Sequence, residues 1–136
     1  MPALLLACGL FALSATVVAG QAAECAGTYP ALVTAVIDGD TVDATVDLGL
    51  DVQRAVRVRL AGVDAPELRG ATAADGRAAR AFLRDWIAVR ANRVQLQVEG
   101  RDKYGRIVGR LIGYEGGDAS RALLDARQAV PYGGSP

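Results

Sequence analysis

Residues 36–42 read VIDGDTV, two carboxylates astride a glycine inside an otherwise apolar, β-branched run. Asp-Gly between hydrophobic segments is a strong hairpin signal, with the glycine expected to supply the positive φ of a tight turn. A turn explains Asp38 and Gly39. It gives no reason for Asp40, which stands at the mouth of the following strand, where pairing needs no second acid. What that acid does governs the reading of the rest of the chain.

Outward from this stretch the pattern is β. Residues 31–37 (ALVTAVI) and 41–48 (TVDATVDL) read as two strands. The second alternates, with Val42, Ala44, Val46 and Leu48 expected inward and Thr41, Asp43, Thr45 and Asp47 outward. LGLDVQ is a loop. RAVRVRLAGV, 54–63, then sets Val56, Val58 and Leu60 against Arg57, Arg59 and Ala61 in a third strand. Beyond DAPELRG the spacing predicts a helix over 73–90, with Ala78, Phe82 and Trp86, flanked by Leu83 and Ile87, as its apolar stripe. VQLQVE, 94–99, and RIVGRLIGY, 106–114, make the fourth and fifth strands, joined by the turn-rich GRDKYG. A short helix follows, capped by Asp118 and apolar at Ala122, Leu123 and Ala126. The tail VPYGGSP reads as irregular. This order describes a mixed α/β fold of the α+β type, mainly β: a five-stranded OB-fold barrel with two or three flanking helices. An open α+β sandwich fits the same string.

Composition narrows the chemistry. The first 23 residues carry no charged side chain and hold a dense apolar run from Leu4 to Leu13. They are expected to be a signal peptide cleaved near Ala22 or Ala23, or an uncleaved anchor through residues 3–20, although no Lys or Arg precedes the run. Residues 24–136 are then one domain with one core. The expected location is secreted or periplasmic, or membrane-anchored if the leader stays. Cys25 is the single cysteine after the leader, so no intrachain disulfide forms there. Histidine is absent, which removes the commonest metal ligand and general base and the Ser-His triad. Net charge is zero, yet residues 24–53 hold six acids and no base, while residues 54–110 hold thirteen bases, twelve of them arginine, against six acids. Such a local surplus of guanidinium fits an anionic ligand held by paired hydrogen bonds.

Two further stretches concentrate charge and turn residues: RLAGVDAPE, 59–67, and RDKYGR, 101–106. Each alone could be structural, the first ending a strand at Pro66 and the second closing a hairpin. Taken with Asp38-Gly39-Asp40-Thr41 they form three signatures in order, and the chain resembles the staphylococcal nuclease (thermonuclease) family from about Tyr29 to Tyr132. The resemblance implies a calcium-dependent phosphodiesterase that cuts single-stranded DNA and RNA with little sequence preference and leaves 3′-phosphate ends. It implies that Asp40, Asp64 and the backbone carbonyl of Ala65 hold Ca²⁺. Glu67 would be the general base or would position the attacking water. Arg59 and Arg106 would clamp the phosphate, Lys103 and Tyr104 would contact the nucleotide's phosphates, and Tyr132 would pack near a base.

Physical chemistry supports this set from a second direction. Two neighbouring carboxylates repel unless a cation lies between them, and an all-oxygen site suits calcium and disfavours zinc. Arg59 alternates with Val58 and Leu60 and so points away from the core. Three departures from the family pattern stand out: Ala65 replaces a threonine, Arg127-Gln128 replace the Gly-Leu that ends the second helix, and net charge is neutral. DNA and RNA are the expected partners, with no obligate protein partner and a monomeric enzyme. The competing reading is a non-catalytic OB-fold module that binds single strands. Such a binder needs the arginines but has no use for the three acids.

Overall fold

The computed structural model describes residues 27–133, so the leader and Cys25 lie outside the described residues. The chain runs through β1 (Gly27–Asp38), β2 (Thr41–Asp47), β3 (Gln53–Leu60) and β4 (Val63–Asp64), then a single 3-10 turn (Gly70–Thr72) and α1 (Ala73–Ala88). It continues through β5 (Arg93–Arg101), β6 (Ile107–Ile112), α2 (Ala119–Asp125) and β7 (Val130–Pro131). Five strands close a barrel in the order β1-β2-β3-β6-β5, and β5 pairs back onto β1. β3 and β6 run parallel, with Arg59 opposite Val108, and the other barrel pairs are antiparallel. This is an OB-fold-like barrel with two helices, and closure excludes the open sandwich.

Alternation builds the interior. Val33, Val42, Ala44, Val46, Val58, Leu60, Val94, Leu96 and Leu111 fill it, and Leu83 and Ile87 of α1 cover it. Two side chains of the 41–48 segment depart from the expected faces. Leu48 falls past the strand's end and is 49% exposed, whereas Thr41 is 3% exposed because its hydroxyl donates to the Asp40 carboxylate. The helix stripe is also rotated by one residue. Gly76, Ala79, Leu83 and Ile87 are buried, while Phe82 and Trp86 flank the core and Ala78 faces outward. In α2 the buried residues are Ala119, Ser120 and Leu123, with Asp118 capping through its side chain onto the Ser120 N–H at 2.8 Å.

Two segments behave differently from their expected form. The third strand breaks at Ala61-Gly62, and Val63–Asp64 then pairs with Val130–Pro131 from the tail. Tyr132 extends that contact by donating its N–H to the Gly62 carbonyl at 3.0 Å, so the tail is docked rather than irregular.

α2 ends in a left-handed residue even without glycine. Arg127 has φ 57°. Its N–H donates to the Leu124 carbonyl at 3.0 Å, and the Gln128 N–H donates to Leu123 at 2.9 Å. These paired bonds form a Schellman motif, which glycine normally completes because a Cβ is strained in this conformation. Arg127→Gly is therefore expected to stabilise the protein by about 0.5–1 kcal/mol, seen as a higher urea midpoint at unchanged slope.

Candidate active site

The VIDGDTV hairpin is a two-residue turn, with Asp38 opposite Thr41. Asp38 Oδ1 accepts the Asp40 N–H at 3.0 Å and folds the turn locally. Gly39 lies outside the left-handed region, contrary to the expectation for an Asp-Gly turn. Its role is room: a Cβ there would come within 2.6 Å of the Ala79 Cβ and 2.7 Å of the Ala65 Cβ. The turn, the DAPE segment and α1 can meet only because all three positions are small.

That junction carries Asp40 into the protein, where the residue is 7% exposed. Its Oδ2 accepts the Ala65 N–H at 2.8 Å, and its Oδ1 accepts the Thr41 hydroxyl at 3.0 Å. Arg59 reaches across from β3. One terminal nitrogen lies 3.3 Å from Asp40 Oδ2 and 3.4 Å from Asp64 Oδ1. The other donates to the Leu60 and Val63 carbonyls at 3.0 and 2.8 Å. Asp40 and Asp64 thus converge on one point, occupied here by a guanidinium. Burial, followed by the contact with the Asp38 side chain, pushes the Asp40 carboxyl from 3.8 up to about 6, against the lowering pull of Ala65 and Arg59.

The barrel wall beside Arg59 is hollowed into a cleft of about 690 Å³. Arg59, Asp64, Lys103, Tyr104, Arg106 and Tyr132 all face it, so six of the nine expected site residues share one cavity. Asp40 and Ala65 lie buried behind Arg59. Glu67 is exposed, three residues beyond Asp64, and its carboxylate has no hydrogen-bond or ion-pair partner among the described residues. Tyr132 arrives through the docked tail, its ring centroid 5.7 Å from the Arg59 guanidinium. Lys103 and Arg106 stand over the ring of Tyr104, at 5.1 and 5.5 Å.

Asp102 is a site residue that the sequence did not single out. Its Oδ1 accepts the N–H groups of Tyr104 and Arg106, each at 2.9 Å, and its Oδ2 accepts Arg106 Nε at 2.5 Å. Burial pushes its carboxyl upward, but the Arg106 side chain and these two backbone donors outweigh that and hold it below the usual range. One acid therefore shapes the loop and fixes the arginine. Gly76 is a second such residue, and an isolated glycine inside a helix was its signal. A Cβ there would sit 2.3 Å from the Glu67 carbonyl oxygen and 2.8 Å from that of Pro66, so α1 rests directly on the backbone that carries Glu67.

The donor set bears on metal binding. Among the described residues no three acid, histidine or cysteine side chains form a ready cation cage. Two carboxylates, one of them buried and hard to ionise alone, together with the Ala65 backbone, fit a hard cation whose coordination is otherwise open.

A family model described as staphylococcal nuclease homologue matches residues 57–132. The chain belongs to this family. The match starts at Arg57, beyond the hairpin, so it is the structure that sets Asp40 and Asp64 together on Arg59. An uncharacterized endonuclease of Escherichia coli is 31% identical over 100 residues, covering 74% of this chain and 59% of that protein. The succinoglycan biosynthesis protein ExoI of Rhizobium meliloti (strain 1021) is 32% identical over 102 residues, covering 70% of this chain and 48% of that protein. The chain thus spans about half to three fifths of the length of these curated relatives.

Two predictions follow from the junction and its buried acid. Alanine usually favours a helix over glycine by about 1 kcal/mol, yet Gly76→Ala should destabilise by about 1–3 kcal/mol in denaturant melts, because helix and loop must separate. Asp40 binds its proton more tightly folded than unfolded, so stability falls as pH rises from about 4 through about 6. Melts in chelator should show wild type losing on the order of 2–3 kcal/mol relative to Asp40→Asn between about pH 4 and pH 7.5.

Proposed function

We propose that this staphylococcal nuclease homologue is a calcium-dependent nuclease. It hydrolyses phosphodiester bonds of single-stranded DNA and RNA with little sequence preference and leaves 3′-phosphate ends. The observation that carries this reading is the convergence of Asp40 and Asp64 on Arg59 at the wall of a cleft that also presents Arg106, Lys103 and two tyrosines. A module that only binds phosphate gains nothing from acids there, since they repel its ligand.

Asp40, Asp64 and the Ala65 carbonyl would hold Ca²⁺. When bound, the ion supplies positive charge that draws the phosphate in and offsets charge developing on its oxygens. Glu67, exposed and unpaired, takes the proton of the attacking water as the water oxygen bonds to phosphorus. The P–O5′ bond breaks, and the departing oxygen takes a proton from solvent. Arg59 and Arg106 present guanidinium N–H groups to the phosphate oxygens, each held in place by an acid before substrate arrives. Tyr104 and Tyr132 offer ring faces to bases, contacts that tolerate any sequence.

The uncharged leader supports export to the periplasm or medium, where millimolar calcium matches a site with few protein ligands. All the proposed site residues come from one chain, so a monomer suffices without a protein partner.

The deciding assay is cleavage of heat-denatured DNA by residues 24–136 in millimolar Ca²⁺ and in chelator. Cutting should require calcium, and Glu67→Gln should lower kcat by about 10²- to 10⁴-fold. Arg59→Lys and Arg106→Lys should each lower it by about 10²- to 10³-fold. Tight binding of single strands without cutting would instead establish the OB-fold binding module.

A further inference from the structure

Next to the cleft, at the barrel end where β1 begins, lies a second and smaller hollow of about 150 Å³. Its floor is apolar, made by Tyr29, Leu48, Val56 and their neighbours, with Arg54 and Arg101 among its lining residues and no acid. Arg101 lines the cleft as well and is the one residue common to the two linings. Asp47 and Asp51, on and beyond the end of β2, do not line it.

We propose that this hollow is an additional nucleotide subsite, holding a base further along the strand bound in the cleft. This inference rests on the nuclease reading and deepens it. A single strand repeats one anion and one flat apolar ring per nucleotide, and the lining repeats the complement: Arg101 between the cavities, the Tyr29 ring on the hollow's floor, and Arg54 beside it. The occupant must be flat, small and attached to negative charge. A volume near 150 Å³ suits one base and is too small for a helix or strand of another protein. Both arginines are available for phosphate. Arg54 has no ion-pair partner among the described residues, and Arg101 makes only a 3.2 Å bond to the Gly105 carbonyl.

The barrel core supplies part of this lining, since Val46, Leu96, Val98 and Ile107 belong to it and Tyr29 and Val56 pack against it, but a core calls for neither a tyrosine nor two arginines here. Tyr29 is only partly buried, and its alternating position on β1 would be filled as well by Leu or Val. Residues 54–57 carry two arginines, but Arg57 is neutralised by Asp43 at 2.7 Å and Arg54 is not. The unpaired one is the one beside the hollow.

The test is the dependence of kcat/KM on substrate length, using end-labelled oligothymidylates of two to six nucleotides with Ca²⁺. Wild type should gain about tenfold or more where the added nucleotide reaches the hollow, the range expected for one stacked base. In Arg54→Gln and Tyr29→Leu that gain should flatten, while Tyr29→Phe, which keeps the ring, should retain it. The salt dependence of KM on the longest substrate should also ease in Arg54→Gln, since one phosphate contact is lost. An equal gain with length in wild type and in both flattening variants overturns the subsite and leaves the nuclease standing. Failure of the folded wild type to cut any length overturns the nuclease and the subsite together.

Discussion

The carboxylate of Asp40 is the constraint on which the rest of the site depends. It is buried and joins three segments distant in sequence: its own hairpin through Thr41, the DAPE segment through the Ala65 N–H, and β3 through Arg59. A buried charge is tolerated only where several groups answer it. Here these partners offset burial only in part, and the carboxyl remains hard to ionise. The protein thus keeps a strained electrostatic position at the point where Asp64 also arrives, an arrangement characteristic of functional sites rather than of packing.

Small side chains make that convergence possible. Gly39, Ala65 and Ala79 leave no space between hairpin, loop and helix, and Gly76 lets α1 rest on the backbone of Pro66 and Glu67. The helix is therefore more than a cover for the barrel's end. It fixes where Glu67, the proposed general base, stands, because the loop that carries it has the helix backbone as its floor. A rigid scaffold under an exposed loop residue is what positioning within a fraction of an ångström requires.

The arginines illustrate how a neutral chain can still present a cationic cleft. Arg57, Arg90 and Arg121 are paired with acids outside it, and Arg110 is paired with Asp118 outside it and with Glu99 on its wall. Arg59 and Arg106 are paired too, but with acids that orient them at the cavity wall. Lys103 and Arg101 face the cavity without an ion-pair partner among the described residues. Local charge, not net charge, sets the field that a bound phosphate meets. Preoriented donors also avoid reorganisation when charge develops in the transition state.

Much of this was legible in the sequence because strands announce themselves by alternation. The inward faces of β2 and β3 and the Asp118 cap followed from period and composition, and the three charged motifs lay in plain order. The helix stripe was misplaced by one residue because Phe82 and Trp86 outweigh Ala79 in any hydrophobic count, although alanine is what fits under the hairpin. Gly39 looked like a left-handed turn residue because Asp-Gly usually is one, and no local signal distinguishes freedom of φ from lack of a Cβ. The docking of the tail that brings Tyr132 over Arg59 had no local signature, since two-residue strands have no period to read. The sequence by itself determined the barrel's interior and the kinds of chemical group available. Only the tertiary structure decided which acid meets which arginine and which glycines are spacers, because those depend on contacts between segments tens of residues apart that no local propensity encodes.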